Sequence, residues 1–294
     1  MIRVYNALRV GKIIGLFIVV AGGTEASAET LQGLQYYKPL YAAVQAHHGH
    51  DNFGQIKLHG GFKYDIGTDR KDLPFSNRLT RAIGKSCNNL FFAYSMISFW
   101  DFQDESGPFE DINHNPEIFC EGTHTGYAWL DEHIAQWGYE HLSNGIDNVS
   151  ISQDGVTRRS RSIHNLNAVF GLYENSHSRL SAKLWWNFRK SENPDIDDYW
   201  GHVDIRFLHA SGYTNSRQQH AFQWSIQLRG SPVKGRGRLL ADISYRLPDR
   251  IGFKNDMYLF AQIFQGYGDS LLNYNKETTT LRLGFQLMRD PLPR

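Results

Sequence analysis

His141 and Ser143 lie two residues apart in the run Tyr139-Glu140-His141-Leu142-Ser143-Asn144-Gly145. The run has strand character, and alternate residues of a strand share a face. A base is thereby set beside a hydroxyl, which is the arrangement a serine nucleophile needs. Trp137 and Tyr139 fall on the same face, and Gln136, Gly138, Glu140 and Asn144 on the other. A nucleophile among aromatic rings suggests chemistry on an apolar substrate. Spacing alone leaves a second reading open, in which His141 only hydrogen-bonds a neighbouring strand. The chain has 13 histidines, and His209-Ala210-Ser211 repeats the pattern.

The elements that would carry such a pair show alternation of period two, with no sustained helical period. Phe222, Trp224, Ile226 and Leu228 share one face, while Gln223, Ser225, Gln227 and Arg229 share the other. The same holds for Leu239, Ala241, Ile243, Tyr245 and Leu247 against Asp242, Ser244 and Arg246, and for Leu281, Leu283, Phe285 and Leu287 against Arg282, Gly284 and Gln286. Arg and Asp recur at mid-strand on the polar face. Apolar-out and polar-in, with aromatic ends, fits a transmembrane β-barrel better than a soluble sandwich.

Strands are expected near 36–46, 55–65, 86–100, 116–128, 134–144, 162–173, 177–188, 199–209, 217–229, 236–247, 255–265 and 277–288. The expected fold is all-β, a twelve-stranded antiparallel transmembrane barrel, an even count as single-chain bacterial barrels have. Connections 101–115, 145–161, 189–198 and 266–276 are long and polar; 129–133, 174–176 and 210–216 are short. Long loops on the outer side put Ser143 at the extracellular rim and His209-x-Ser211 at a periplasmic turn.

Arg3, Arg9 and Lys12, then apolar Ile13 to Ala21, then Ala26-Ser27-Ala28 read as a secretory signal, residues 1–28, ahead of a barrel over 29–294. A net charge of +1 gives no hint of nucleic-acid binding. Cys87 and Cys120 lie on opposite arms of one hairpin at unequal distances from its turn, so two unpaired thiols are expected. His47, His48 and His50 sit in a polar stretch and read as a solvated loop.

Five landmarks carry a resemblance. They are His141-x-Ser143-Asn144-Gly145, Ser160-Arg161-Ser162, Ser106-Gly107-Pro108-Phe109, Asn193-Pro194-Asp195-Ile196 and the run Gly266 to Asn275. Taken in chain order they resemble the outer-membrane phospholipase A family. The resemblance implies a twelve-stranded outer-membrane barrel, crossing the membrane many times. It implies a calcium-dependent homodimer that hydrolyses acyl esters of phospholipids, with A1, A2 and lysophospholipase activity. Ser143 would be the nucleophile, His141 the general base, and the Gly145 backbone N–H an oxyanion donor. Ser160 and the Ile146 backbone in one subunit, with Ser106 from the other, would ligate Ca²⁺. The family's polar dimer-seam residue is replaced here, near Ser95 or Met96.

The family's third catalytic member is an asparagine, and a gapless count from Ser160 lands on His164, with Asn165 next. Leu166, Ala168, Phe170 and Leu172 form the apolar face of that strand. His164 shares this face; Asn165 would need a one-residue bulge to reach it. His164 is therefore favoured, and a neutral ring can accept the Nδ1–H of His141. The rival reading from another class is a catalytically silent barrel or small pore.

Overall fold

The computed structural model describes residues 33–47, 53–66, 87–103, 105–123, 126–146, 150–152, 155–157, 159–214, 220–231, 233–248 and 257–290. The expected signal segment, His48 and His50 lie outside these residues. The barrel strands are β1 (Leu34–His47), β2 (Phe53–Asp65), β3 (Cys87–Trp100), β4 (Phe109–Thr123), β5 (Ile134–Ser143), β8 (Ser162–Glu174), β9 (Ser178–Arg189), β10 (Val203–Thr214), β11 (His220–Ser231), β12 (Arg236–Arg246), β13 (Tyr258–Tyr267) and β14 (Glu277–Met288). The loop after β5 holds a small hairpin of β6 (Ser150–Ser152) and β7 (Gly155–Thr157). Among the described residues two short helices, α1 (Ala128–His133) and α2 (Ile196–Trp200), lie in connections.

Among the described residues the twelve barrel strands pair antiparallel in chain order, and β1 closes the ring against β14. Closure leaves no open sheet edge, which is what a lipid-embedded sheet requires. Trp186 is 63% and Leu283 53% exposed, and Leu166, Ile205, Leu228 and Ile263 are likewise exposed on the outside. Such side chains are costly in water and favourable in hydrocarbon.

The lumen is polar and filled. Lys38 Nζ donates to Ser95 Oγ at 3.1 Å, Asn115 Oδ1 at 2.9 Å and Glu117 Oε1 at 2.6 Å. Lys183 pairs with Glu140 at 2.8 Å and Arg229 with Asp204 at 3.0 Å. Arg282 is 0% exposed and donates to Gln45, Gln262 and Asp269. A buried guanidinium is tolerable only with such a full partner set. These buried charges are each paired with partners on other strands or loops.

Each expected barrel strand is present, with shifted ends. β4 starts at Phe109 instead of 116 because Asp111, Asn113 and Asn115, part of the polar stretch expected as a connection, are its buried inward face. Residues 199–200, expected at a strand start, end α2, and the turn expected at 129–133 lies wholly within α1. Ser95 points inward and is buried, while Met96 is exposed on the outside.

The expectation of two free thiols is wrong: Cys87 and Cys120 form a disulfide, with Cα atoms 5.4 Å apart. In the ladder Cys87 pairs with Thr123 and Cys120 with Leu90. Gly122, in the left-handed region at φ 72°, lets this end of β4 coil, so residues that are not ladder partners come within bonding reach. Counting from the turn assumed a straight ladder.

Candidate active site at the outer rim

β5 carries its last residues to the rim that bears the loops 101–108, 144–161, 190–202 and 268–276. On one side it pairs with β8, where His141 faces His164 and Ser143 faces Ser162. On the other it pairs with β4, where Ser143 faces His114. His141 and His164 stack loosely, with centroids 4.3 Å apart and planes tilted by 36°. The Tyr139 hydroxyl meets His164 Nδ1 at 2.6 Å. Phe188 lies 6.0 Å from the His164 ring and 6.3 Å from the Tyr139 ring, extending an aromatic apron down the lipid face. His141 Nδ1 is buried and has no hydrogen-bond partner among the described residues. That nitrogen must be held by an acceptor if Nε2 is to take a proton from a serine.

Asn165 points the other way. It is buried in the lumen, donates to Glu140 Oε2 at 3.2 Å and accepts from Asn167 Nδ2 at 3.0 Å. A register irregularity does occur here, between His164 and Asn165 against β9. The extra residue is on β9, since His164 pairs with Arg189 and Asn165 with Asn187. The β5–β8 register is regular from Gln136 to Ser143, across His164 and Asn165, so β8 keeps its parity there. The second His-x-Ser match is at the opposite rim, where His209 Nδ1 meets Ser178 Oγ at 2.8 Å.

The loop beyond Ser143 returns under tight control. Asn144 is buried; its Nδ2 donates to the Arg159 carbonyl at 2.8 Å, and its Oδ1 accepts from Arg161 N–H at 2.9 Å. Gly145 has φ 61°, a conformation that suits glycine. Ile146 N–H reaches back toward Asn144 Oδ1 at 3.5 Å. The Ser160 carbonyl accepts from the Arg161 guanidinium at 2.9 Å. Ser106, on the loop from β3 to β4, is the one non-glycine residue with positive φ (70°) among the described residues. Its loop is pinned by Trp100 Nε1, which donates to the Gly107 carbonyl at 2.7 Å.

The remaining landmarks build a cap beneath the rim. Ile163, Ile196, Trp200, Leu271 and Tyr274 form a buried cluster, and Leu142 packs on it. Leu142 lies between His141 and Ser143, so its inward anchorage fixes their outward aim. Asn193, fully buried, accepts from Ser162 N–H at 3.1 Å. Leu271 and Leu272 N–H groups donate to Asn113 and Asp111 at 3.0 and 2.9 Å. Burial, together with a hydrogen bond to the Asp195 carboxylate, pushes the Tyr274 hydroxyl well above an ordinary phenol, so it stays a donor. Among the described residues no three His, Cys, Asp or Glu side chains gather as a metal site.

A profile of the family described as phospholipase A1 matches residues 24–287. The chain belongs to the phospholipase A1 family. It is similar to the phospholipase A1 of Salmonella typhimurium, 26% identical over 205 residues, covering 66% of this chain and 61% of that protein. The Klebsiella pneumoniae phospholipase A1 is 27% identical over 201 residues, with the same coverage. The match thus spans less than two thirds of either relative. Among solved structures, outer membrane phospholipase A from Escherichia coli aligns over 87% of this chain and 94% of its own, with TM-score 0.65 and 20% identity. An E. coli active-site mutant with asparagine replaced by alanine aligns over 92% and 96%, with TM-score 0.66 and 20% identity. The calcium-bound dimer of the Salmonella typhi outer membrane phospholipase aligns over 90% and 94%, also with TM-score 0.66 and 20% identity. At this identity the structural likeness establishes the shared barrel fold.

Sequence reasoning passed over several residues of this family member's rim. Tyr139 was read only as an aromatic neighbour of the pair, and Asn144 only as part of a motif. His114 and its partner Tyr94 were not singled out at all, because cross-strand neighbours depend on register, which alternation does not reveal.

Proposed function

We propose that this chain is a phospholipase A of the outer membrane. It would cleave the A1 and A2 acyl esters of phospholipids, and those of lysophospholipids, at the lipid-facing outer rim. The outward row His164–His141–Ser143 on the rim of a barrel of the phospholipase A1 family carries this reading. Ser143 Oγ attacks the ester carbonyl carbon while its proton passes to His141 Nε2. The C=O electron pair moves onto oxygen, which the Gly145 N–H helps to hold. When that pair returns, the glycerol oxygen leaves with the proton from His141. Water then repeats the sequence and releases the fatty acid. His164 keeps His141 oriented, a role that requires its ring to swing from the stacked arrangement and offer a nitrogen lone pair to His141 Nδ1.

The Ser106 and Ser160 hydroxyls and the Ile146 carbonyl are hard oxygen donors, a set that fits Ca²⁺ and no softer metal. Calcium held there would supply positive charge beside the developing oxyanion. Ser106 would come from a second copy, so the active form would be a homodimer. The reading is tested by measuring fatty-acid release from phospholipid in detergent micelles, with calcium or chelator, for the wild type and Ser143→Ala. Release that needs calcium and is abolished by Ser143→Ala is expected. Release indifferent to both overturns it.

A further inference from the structure

His114 stands on the opposite side of Ser143 from His164. It is the direct cross-strand neighbour of Ser143 on β4. Such neighbours have Cβ atoms roughly 4.5–5.5 Å apart on one face. Its own neighbours confirm the face: Asn113, Asn115 and Glu117 are buried in the lumen, while Ile118 is exposed outside. The ring is clamped by the Tyr94 hydroxyl, which meets Nδ1 at 2.6 Å. Tyr94 is backed in turn by the Phe62 ring at 6.0 Å. The free edge of the imidazole abuts the oxyanion glycine. A Cβ placed on Gly145 would lie 3.5 Å from both Cδ2 and Nε2 of His114. Ser143 and Gly145 are therefore lined by one fixed histidine edge, and that edge belongs to a different strand.

The tautomer taken is the one in which the Tyr94 hydroxyl donates to Nδ1 and the ring proton sits on Nε2. An N–H then points toward Gly145. In that tautomer the ring's one lone pair is engaged by Tyr94. The Nε2–H can donate. Oxyanion sites use converging donors aimed at the oxygen that gains charge, and the Gly145 N–H alone supplies one.

We propose that His114 is a further catalytic residue of this site, its Nε2–H donating to the ester carbonyl oxygen as Ser143 attacks. The proposal rests on the serine-hydrolase reading above. As the Oγ–C bond forms, the C=O pair moves onto oxygen and the Ser143 proton goes to His141. The His114 proton stays on its nitrogen throughout. When the C–O bond to glycerol breaks, the pair returns from oxygen and the hydrogen bond relaxes. His114 thus stabilises charge that exists only in the transition state and intermediate, and so acts on kcat.

The test compares wild type, His114→Phe, His114→Gln and Ser143→Ala on a phospholipid and on a phosphate-free long-chain ester. Folding is checked for each by the heat-modifiable shift on a gel. Loss of one oxyanion donor costs about 10²–10³ in kcat. His114→Phe is expected to fall by that factor on both substrates with KM within about threefold. His114→Gln, which keeps an N–H, is expected to recover at least tenfold over Phe. Should His114→Phe fail to insert, His114→Asn replaces it, since its amide is too short to reach. His114→Phe with kcat within threefold of wild type, while Ser143→Ala is dead, overturns the proposal. A defect confined to KM, or to the phospholipid alone, also overturns it and assigns His114 to headgroup binding. Activity surviving in Ser143→Ala instead overturns the serine-hydrolase reading itself.

Discussion

Replacing Asn144 by alanine tests how the rim loop is held. The side chain is 3% exposed and makes two hydrogen bonds across the loop closure, to the Arg159 carbonyl at 2.8 Å and from Arg161 N–H at 2.9 Å. A third bond, from its backbone N–H to the Arg161 carbonyl at 3.1 Å, survives the substitution. Each buried group left without a partner costs about 1–3 kcal/mol. Two of them total roughly 2–6 kcal/mol if the loop stays shut. The loop can open and let water satisfy them, so the measurable effect is a lower opening free energy, by about 2 kcal/mol. That corresponds to roughly thirtyfold faster amide exchange at Arg161. Opening also displaces Gly145 and Ser160, and kcat is expected to fall about 10–100-fold with the barrel intact. Asn144→Asp keeps the acceptor for Arg161 N–H but turns a carboxylate toward the Arg159 carbonyl, so it should fall between. Exchange at Arg161 within twofold of wild type in Asn144→Ala, with kcat unchanged, would refute the account of Asn144 as the tie of this loop.

Three further outcomes are expected. His164→Ala should lower kcat by about 10²–10⁴, as mis-set catalytic histidines do, while Asn165→Ala should leave kcat within a few-fold and lower the urea midpoint; full activity in His164→Ala with loss in Asn165→Ala would show the facing argument wrong. Cys87 and Cys120 are 33 residues apart, so loop-closure entropy gives their bridge about 4 kcal/mol at most. The paired Cys87→Ser, Cys120→Ser variant should unfold at lower urea with kcat kept. For Asp269, burial alone would raise the carboxyl pKa, but the Arg282 guanidinium and Lys57 ammonium overcome burial and hold it well below the usual range. The folded value is depressed, so its contribution is present in full above the ordinary carboxylate value near 4 and is lost as pH falls through the lower folded value. Wild type should lose urea resistance below about pH 4, and Asp269→Asn should be weaker at pH 7 with a flatter acid limb.

Alternation made the barrel legible. Leu281, Leu283 and Phe285 against Arg282 and Gln286 state which way each residue faces, because the strand period of two leaves only two choices. The same parity set His164 on the outside and Asn165 on the inside, as the structure has them. Composition misled where polar residues were inward-facing partners: Asp111, Asn113 and Asn115 belong to a stretch that reads as a polar connection until Leu271, Leu272 and Lys38 are brought to them from far along the chain.

What the sequence by itself determined is therefore local and periodic: the strands, their faces, the rim at which His141 and Ser143 emerge, and the family that the motifs mark. What only the tertiary structure decided is lateral. Register between strands placed His114 against Ser143, coiling at Gly122 joined Cys87 to Cys120, and ring closure brought Arg282 to Asp269 and Lys57 to the same carboxylate. These contacts join residues whose separation along the chain carries no information about their distance in space. Hydrogen bonding between strands and the need to satisfy every buried charge select them, and both act only once the barrel has closed.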